Sequence, residues 1–305
     1  MLITLDKCQL CGSKDFLGLN GIVLKPDKRK ANLNLRDEDT GWYMCQACSF
    51  IFQNPRLSRA YIEEYYARSD YHEGREISEG QIGHTLIQLA RLELFLAMNG
   101  INIGATRGAT CLDYGCGIGA ALNFMAERGN EVWGVELDRH EVEFGRKHYK
   151  IKFASTPDEI PKETRFDFIF THHCLEHVFD PNDFFAYAAR ALKPGGILMA
   201  TVPSWRYSNT MNFINGFDIS DNSMFDHVSL SGFMNKHGLF QFSHMYQNND
   251  DWELVTLARK SPRKNYYGIN HQETLAELYS NVSKRHSERL GEPGVPARDS
   301  FIVRM

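Results

Sequence analysis

The stretch Cys111-Leu112-Asp113-Tyr114-Gly115-Cys116-Gly117-Ile118-Gly119 runs from a short apolar segment into a turn with glycine at alternate positions. Glycine there lets the backbone bend sharply and lets a flat, charged ligand press against main-chain N–H groups at a helix start. Asp113, inside the apolar segment, suits a cationic ligand group such as an amine. A second apolar run, Val132-Trp133-Gly134-Val135, ends in Glu136. An acid at the end of the second strand of a nucleotide-binding βαβ unit is placed to hold two ribose hydroxyls. The spacing is not the G-x-G-x-x-G of a dinucleotide site, and Asp113 has no role beside a pyrophosphate.

Two C-x-x-C pairs form the second chemical signal: Cys8-Gln9-Leu10-Cys11-Gly12 and Cys45-Gln46-Ala47-Cys48. Four thiolates at the corners of a tetrahedron give the geometry of structural Zn²⁺, with no coordination position left open for chemistry. A redox C-x-x-C is the rival reading, and two pairs near one terminus favour metal. Such a metal stands in for the core that ~50 residues do not build alone. The long gap between the pairs predicts a hairpin or loop excursion over Leu19–Asp39.

The elements that position these groups follow from pattern. Residues 1–55 read as a zinc ribbon and 56–107 as a helical connector. In the connector, Ser78-x-x-Gln81 is a capping-box pattern, Ile82, Leu86, Leu89, Leu92, Phe95 and Leu96 mark a buried face, and Asn99-Gly100 ends the helix. Residues 108–260 alternate strands with helices, which predicts an α/β domain with a parallel sheet. Asp180-Pro181 supplies an N-cap and a first-turn proline for a helix ending near Leu192. A polar tail, 261–305, carries a helical stretch over Glu273–Arg289.

Bulk properties narrow the class. The 305 residues are 43% hydrophobic and 24% charged, an ordinary globular balance, and the net charge of −4 argues against a polyanion-binding surface. The basic run Lys25–Lys30 is brief and is followed by Asp37-Glu38-Asp39, so it reads as a solvated loop. No signal-peptide pattern and no apolar run of ~18 residues is visible. With paired cysteines as metal ligands rather than disulfides, the expectation is a reducing compartment, the cytoplasm, without a membrane partner.

The glycine turn and Glu136 resemble those of the class I S-adenosylmethionine (SAM)-dependent methyltransferases. Further segments match in order: Arg165-Phe166-Asp167-Phe168-Ile169-Phe170 as the fourth strand, Leu175-Glu176-His177-Val178-Phe179-Asp180-Pro181 as the turn after it, and Leu192–Pro203 as the entry to the fifth strand. The similarity spans roughly 108–257. It implies a Rossmann-like class I methyltransferase sheet with helices on both faces, preceded by the small zinc-ribbon domain. The segment Cys45–Tyr66 is similar to the ribbon and linker ahead of bacterial SAM methyltransferases of surface-glycan and natural-product clusters, the zinc-ribbon sugar C-methyltransferases among them.

By that resemblance, Asp113 and the backbone at Gly115, Cys116 and Gly117 hold the methionine part of SAM, with His172 nearby. Glu136 takes the ribose, Leu137 lies beside the adenine, and Thr156 stands where many relatives carry an acid for the adenine amino group. The resemblance implies His177 as general base in a Glu176–His177 pair; the pair as a mere helix cap is the alternative. If the chain is already helical from His173, then His173 and His177 share a face at i, i+4, with Glu176 turned about 100° away. His227 is a substrate contact, an alternative base or a satisfied loop histidine. Tyr65, Tyr66 and Tyr71 either close over the site or pack. No acidic ligand set is evident for a catalytic metal at His173, His177 and His227. The expected function is methyl transfer from SAM to a small polar acceptor such as a nucleotide-linked sugar. O-methylation is favoured because the large C-terminal domain of the sugar C-methyltransferases is not seen. The alternative is a nucleic-acid methyltransferase using its ribbon to bind RNA or DNA. The acidic balance and Thr171-His172-His173-Cys174, where such enzymes carry an Asn/Asp-Pro-Pro-aromatic motif, count against it.

Overall fold

A computed structural model of the chain describes residues 1–19, 35–36, 39–67, 79–102, 106–205, 219–246 and 253–260. The apolar runs around the glycine turn form adjacent strands of one sheet. These are β6 (Thr110–Tyr114), β7 (Glu131–Val135), β8 (Lys152–Ala154), β9 (Phe166–His172), β10 (Leu192–Pro203), β12 (Leu239–Tyr246) and β13 (Glu253–Lys260). Their spatial order is β12-β13-β10-β9-β6-β7-β8. Strands β6 to β10 are mutually parallel, while β13 runs antiparallel between β10 and β12.

Strand order reverses between β6 and β9, because β7 and β8 add on one side of β6 and β9 and β10 on the other. A crevice opens at such a switch point, at the carboxyl ends of the strands, which is where open α/β sheets bind ligands. Parallel strands need crossover helices, and these cover both faces. On one face α2 (Glu79–Met98) and α3 (Ala120–Ala126) bring Leu92, Phe95, Leu122 and Met125 onto Cys111, Phe170 and Met199. On the other, α5 (Pro181–Ala191) and α6 (His227–Lys236) bring Phe184, Phe185, Phe233 and Met234 onto Leu112, Ile169 and Leu198. Consecutive strand residues thus feed opposite cores, so both sides of the strands are apolar.

Local signals set the helix ends. The Asp180 carboxylate accepts from the Asn182 N–H with Pro181 in the first turn, as its position predicts. Asp138 caps α4 (Arg139–His148), whose last turn carries Arg146, Lys147 and His148 against the negative end of the helix dipole. Helix α2 stops at Met98, where the Asn99 amide donates to the Phe95 carbonyl. The Ser78–Gln81 capping pattern, the Lys25–Lys30 run, most of the Leu19–Asp39 excursion, Tyr71 and the tail 261–305 lie outside what is described. No helix among the described residues is long and apolar enough to cross a membrane.

The ribbon strands β2 (Phe16–Gly18), β3 (Trp42–Cys45) and β4 (Ile51–Gln53) are antiparallel, and β11 (Ser223–Met224) from far along the chain extends them at β4. A smaller ladder joins β1 (Leu2–Ile3) to β5 (Arg56–Leu57), just ahead of α1 (Arg59–Ala67). Phe50 meets Phe233 edge to face at 4.9 Å, and Phe50 and Phe52 belong to the same core as α5 and α6. The Gln9 carbonyl of the first cysteine knuckle accepts from Asn182 (2.9 Å) and Lys236 (2.8 Å). Ribbon and sheet therefore share one interior. Phe50→Ala is expected to lower stability by ~3–5 kcal/mol in urea unfolding of the full chain, as for other buried aromatic truncations; an unchanged midpoint would show that Phe50 does not join the two.

Candidate active site

Strand β6 runs into a turn in which Gly115, Gly117 and Gly119 have φ of +81°, +54° and +82°, all left-handed. At Gly115 a Cβ would also stand 2.5 Å from the Cys174 sulfur, so this position is closed to other residues twice over. Glu136 braces the turn. Its carboxylate accepts from the Gly117 N–H (2.9 Å) and the Asp138 N–H (2.9 Å), which ties the ends of β6 and β7 together.

Asp113 is 6% exposed, and its Oδ1 has no hydrogen-bond partner. Burial, with the Glu136 charge adding to it, pushes its pKa well above the usual carboxylate range. Burial raises Glu136 in the same direction. A buried carboxyl without a donor costs free energy, and a cationic hydrogen-bond donor is the group that offsets it. Asp113, Gly115, Gly117, His172 and His173 line a cleft of about 350 Å³ walled by α2 and α3. A cavity of similar size, about 360 Å³, lies between Pro157–Arg165 and Tyr187–Ala191 and touches none of these residues.

At the end of β9, His173 has φ +49°. Its ring stacks on that of His172, with centroids 4.5 Å apart. His173 Nε2 is 2.9 Å from Glu253 Oε1 and His172 Nε2 is 3.8 Å from it. The chain then turns without entering a helix, and α5 begins only at Pro181. The i, i+4 relation between His173 and His177 therefore does not form: His173 lines the cleft, whereas His177 is held elsewhere. His177 Nδ1 lies 3.2 Å from Asp221 Oδ1 and 3.2 Å from the Ser220 carbonyl, and its ring is 5.7 Å from that of Tyr66. Between them sits Glu176, buried, with Oε2 lacking a hydrogen-bond partner and Oε1 3.9 Å from His177 Nε2. Burial pushes its pKa up to about 7 against the opposing influence of His173.

A methyltransferase domain family matches residues 87–249, just over half of the chain. The chain belongs to that family. The chain is 31% identical over 117 residues to the ubiquinone biosynthesis O-methyltransferase of Bordetella avium, a match covering 36% of this chain and 45% of that protein. It is 31% identical over 120 residues to the demethylmenaquinone methyltransferase of Tropheryma whipplei, covering 38% and 48%. It thus spans about half the length of the curated relatives it matches. Among solved structures, magnesium protoporphyrin IX methyltransferase from Synechocystis with bound SAH aligns with a TM-score of 0.51 at 13% identity, over 67% of this chain and 100% of that one. That likeness establishes the fold, which is that of the class I SAM-dependent methyltransferases.

The remaining residues expected at the site are spread around the cleft. Leu137 and Thr156 follow β7 and β8 at their carboxyl ends, and Thr156 precedes a short turn of 3₁₀ helix, Pro157–Glu159. Cys116 and Cys174 have thiol pKa values raised by burial, so neither is poised as a thiolate. His227 Nδ1 lies 2.9 Å from the Tyr246 hydroxyl, and its ring stacks on His244 at 4.8 Å, in a group of its own. Tyr65 and Tyr66 pack edge to face at the end of α1, 5.6 Å apart. The reading of the sequence missed Glu253 and Asp221. Both lie in polar stretches that read as loop, and the only signal was an acid directly ahead of the apolar run Leu254–Leu257.

The four knuckle cysteines converge. Their sulfurs lie within 4.8 Å of one another, with Cys8–Cys48 at 3.6 Å and Cys11–Cys45 at 3.5 Å. These separations suit four sulfurs at ~2.3 Å from one tetrahedral ion and are far too long for an S–S bond. Hydrogen bonds from Cys48 and Cys8 hold the Cys45 sulfur on the thiolate side, pulled down to about 2, while that sharing with Cys45 pushes Cys8 up to about 12. A cluster of sulfurs competing for protons in this way is a receptive cation site.

Glu176 gives a pH signature. In an unfolded chain a glutamate titrates near ~4.3, and in the fold it titrates at about 7. Below both values it is neutral in either state and costs nothing. As pH rises between them the unfolded chain loses the proton first, so the native state loses relative stability, and the full cost is present above pH ~7. Glu176→Gln should therefore stabilise the protein by on the order of 3 kcal/mol at pH 8 and hardly at all near pH 4. Denaturant titrations of both proteins at several pH values test this, and a pH-independent difference would contradict it.

Proposed function

We propose that this protein transfers the methyl group of SAM to a hydroxyl oxygen of a small-molecule acceptor. The observation that carries the proposal is Asp113, a buried carboxyl that lines the cleft at the sheet's switch point and has one oxygen without a hydrogen-bond partner. SAM supplies an activated methyl group on a sulfonium, and the residues of the chain supply alignment and proton handling. Asp113 accepts hydrogen bonds from the amino group of the methionine part, which rests on the backbone of Gly115–Gly117. Glu136, already fixed by two N–H donors, keeps lone pairs for the ribose hydroxyls. Leu137 and Thr156 flank the adenine, and His172 closes the methionine side.

Attack by a hydroxyl oxygen needs a base. His177 is assigned that role on the family resemblance, with Asp221 holding its Nδ1 side; His173, the histidine of this segment that lines the cleft, is the alternative base. Glu176, titrating near neutrality, can take up or return the proton that His177 Nε2 gains. Relatives named for O-methylation in ubiquinone biosynthesis support oxygen as the atom methylated. Those names offer no support for a nucleotide-linked sugar, so the acceptor is stated only as a small hydroxyl-bearing molecule. The Cys8, Cys11, Cys45 and Cys48 cluster is assigned to a structural Zn²⁺ that holds the ribbon against α5 and α6.

Calorimetric titration with SAM is expected to show one site per chain. Asp113→Asn should weaken it by at least ~10-fold, the scale of losing a charge-assisted hydrogen bond. His177→Ala should leave SAM affinity within about 2-fold and lower turnover by ~10²–10⁴-fold, measured as labelled methyl transfer to hydroxylated metabolites of a cell extract. Absence of SAM binding would remove the proposal, and unchanged turnover in His177→Ala would move the base elsewhere.

A further inference from the structure

We propose that His172, His173 and Glu253 form a binding site for a divalent transition-metal ion in the wall of the cleft, separate from the cysteine cluster. The donor atoms of the three residues lie within 4.8 Å of one another. Donors held ~2.0–2.2 Å from one ion stand roughly 3–3.5 Å apart, and the measured separations of 2.9 and 3.8 Å from Glu253 Oε1 bracket that range.

Backbone conformation is the second observation. Consecutive residues of a regular strand point to opposite faces, yet His172 and His173 lie ring against ring at 4.5 Å. The left-handed φ of His173, +49°, accompanies this arrangement at a non-glycine residue. Such a conformation costs on the order of 1 kcal/mol or more and persists where the surroundings enforce it. Here it turns two imidazoles towards one carboxylate.

Charge is the third. The described residues lining the cleft include the acids Glu93, Asp113 and Glu253 and not one lysine or arginine. Two imidazole nitrogens and a carboxylate oxygen form a set that Mn²⁺, Fe²⁺, Co²⁺ and Zn²⁺ accept, with coordination positions left over. Those positions face the space that Asp113 also lines, so an ion there would bind an oxygen of the acceptor and orient it. That role rests on the proposed methyl transfer; the binding of the ion does not.

Cobalt tests the site. Full-length protein whose cysteine cluster has been filled with Zn²⁺ is titrated with Co²⁺ and followed by visible absorption, with SAM affinity measured on the same sample. The expected result is one further ion per chain, with d–d bands and no intense thiolate-to-metal absorption. Glu253→Gln and His173→Ala should each weaken its binding by more than ~10-fold while retaining one zinc per chain. His172→Ala serves as a further variant should one of these fail to fold. No uptake beyond zinc, or uptake that persists in the folded variants, overturns the site and leaves His173 and Glu253 as a plain ion pair. Cobalt binding without SAM affinity would keep the site and remove its role; SAM affinity without cobalt binding would remove the site and leave the proposed methyl transfer standing.

Discussion

One constraint organises the molecule: a carboxyl, Asp113, stands at the end of a strand buried on both faces with no donor of its own on Oδ1. Such a group is tolerated where the surrounding structure enforces it and where a ligand completes it. The enforcement is visible. Strand β6 is paired on both sides by parallel neighbours, and its apolar side chains feed two separate cores. The glycine turn that follows is stitched to β7 through Glu136 and the Val135 carbonyl, which accepts from the Gly115 N–H at 2.8 Å. Asp113 cannot swing out to water without disturbing the centre of the sheet.

The other acids around the switch point are under the same constraint. Glu136, Glu176 and Glu253 are buried or nearly so, and the upward shifts of Asp113, Glu136 and Glu176 each begin with burial. Of these acids Asp113 and Glu253 line the cleft, together with Glu93, and the described lining has no lysine or arginine, so the local field favours a cation. The sulfonium nucleoside proposed above, with its ammonium group, would meet that demand. The ribbon contributes from behind. Its knuckle residue Gln9 bonds the Phe179 carbonyl, and the buried Arg56 guanidinium lies 4.5 Å from the Phe179 ring, two residues after His177.

Much of this was legible in the sequence because it is local. Asp113, the glycines and Glu136 lie within one βαβ unit, and Asp180-Pro181 announces its own helix. The C-x-x-C pairs announce their cluster because only sulfur at that spacing builds it. What escaped depends on contacts between distant segments. Glu253 reaches His173 only because β13 inserts antiparallel beside β10, with Glu253 opposite Pro203. Asp221 reaches His177 only because the Asn222 and Ser223 N–H groups bond the Glu176 carbonyl. The left-handed turn at His173 overrode the helical reading of the segment, since no glycine or asparagine marks it. No pattern of residue types encodes any of these three.

The most direct measurement is the proton balance of SAM binding, from calorimetry at pH 7 in buffers of different ionisation enthalpy. Burial and the Glu136 charge raise the Asp113 pKa, and an ammonium group seated against it should draw that pKa back down, so SAM binding should release protons and Asp113→Asn should reduce the release. Binding heats that do not vary with the buffer would show that this carboxyl does not receive the cofactor's charge.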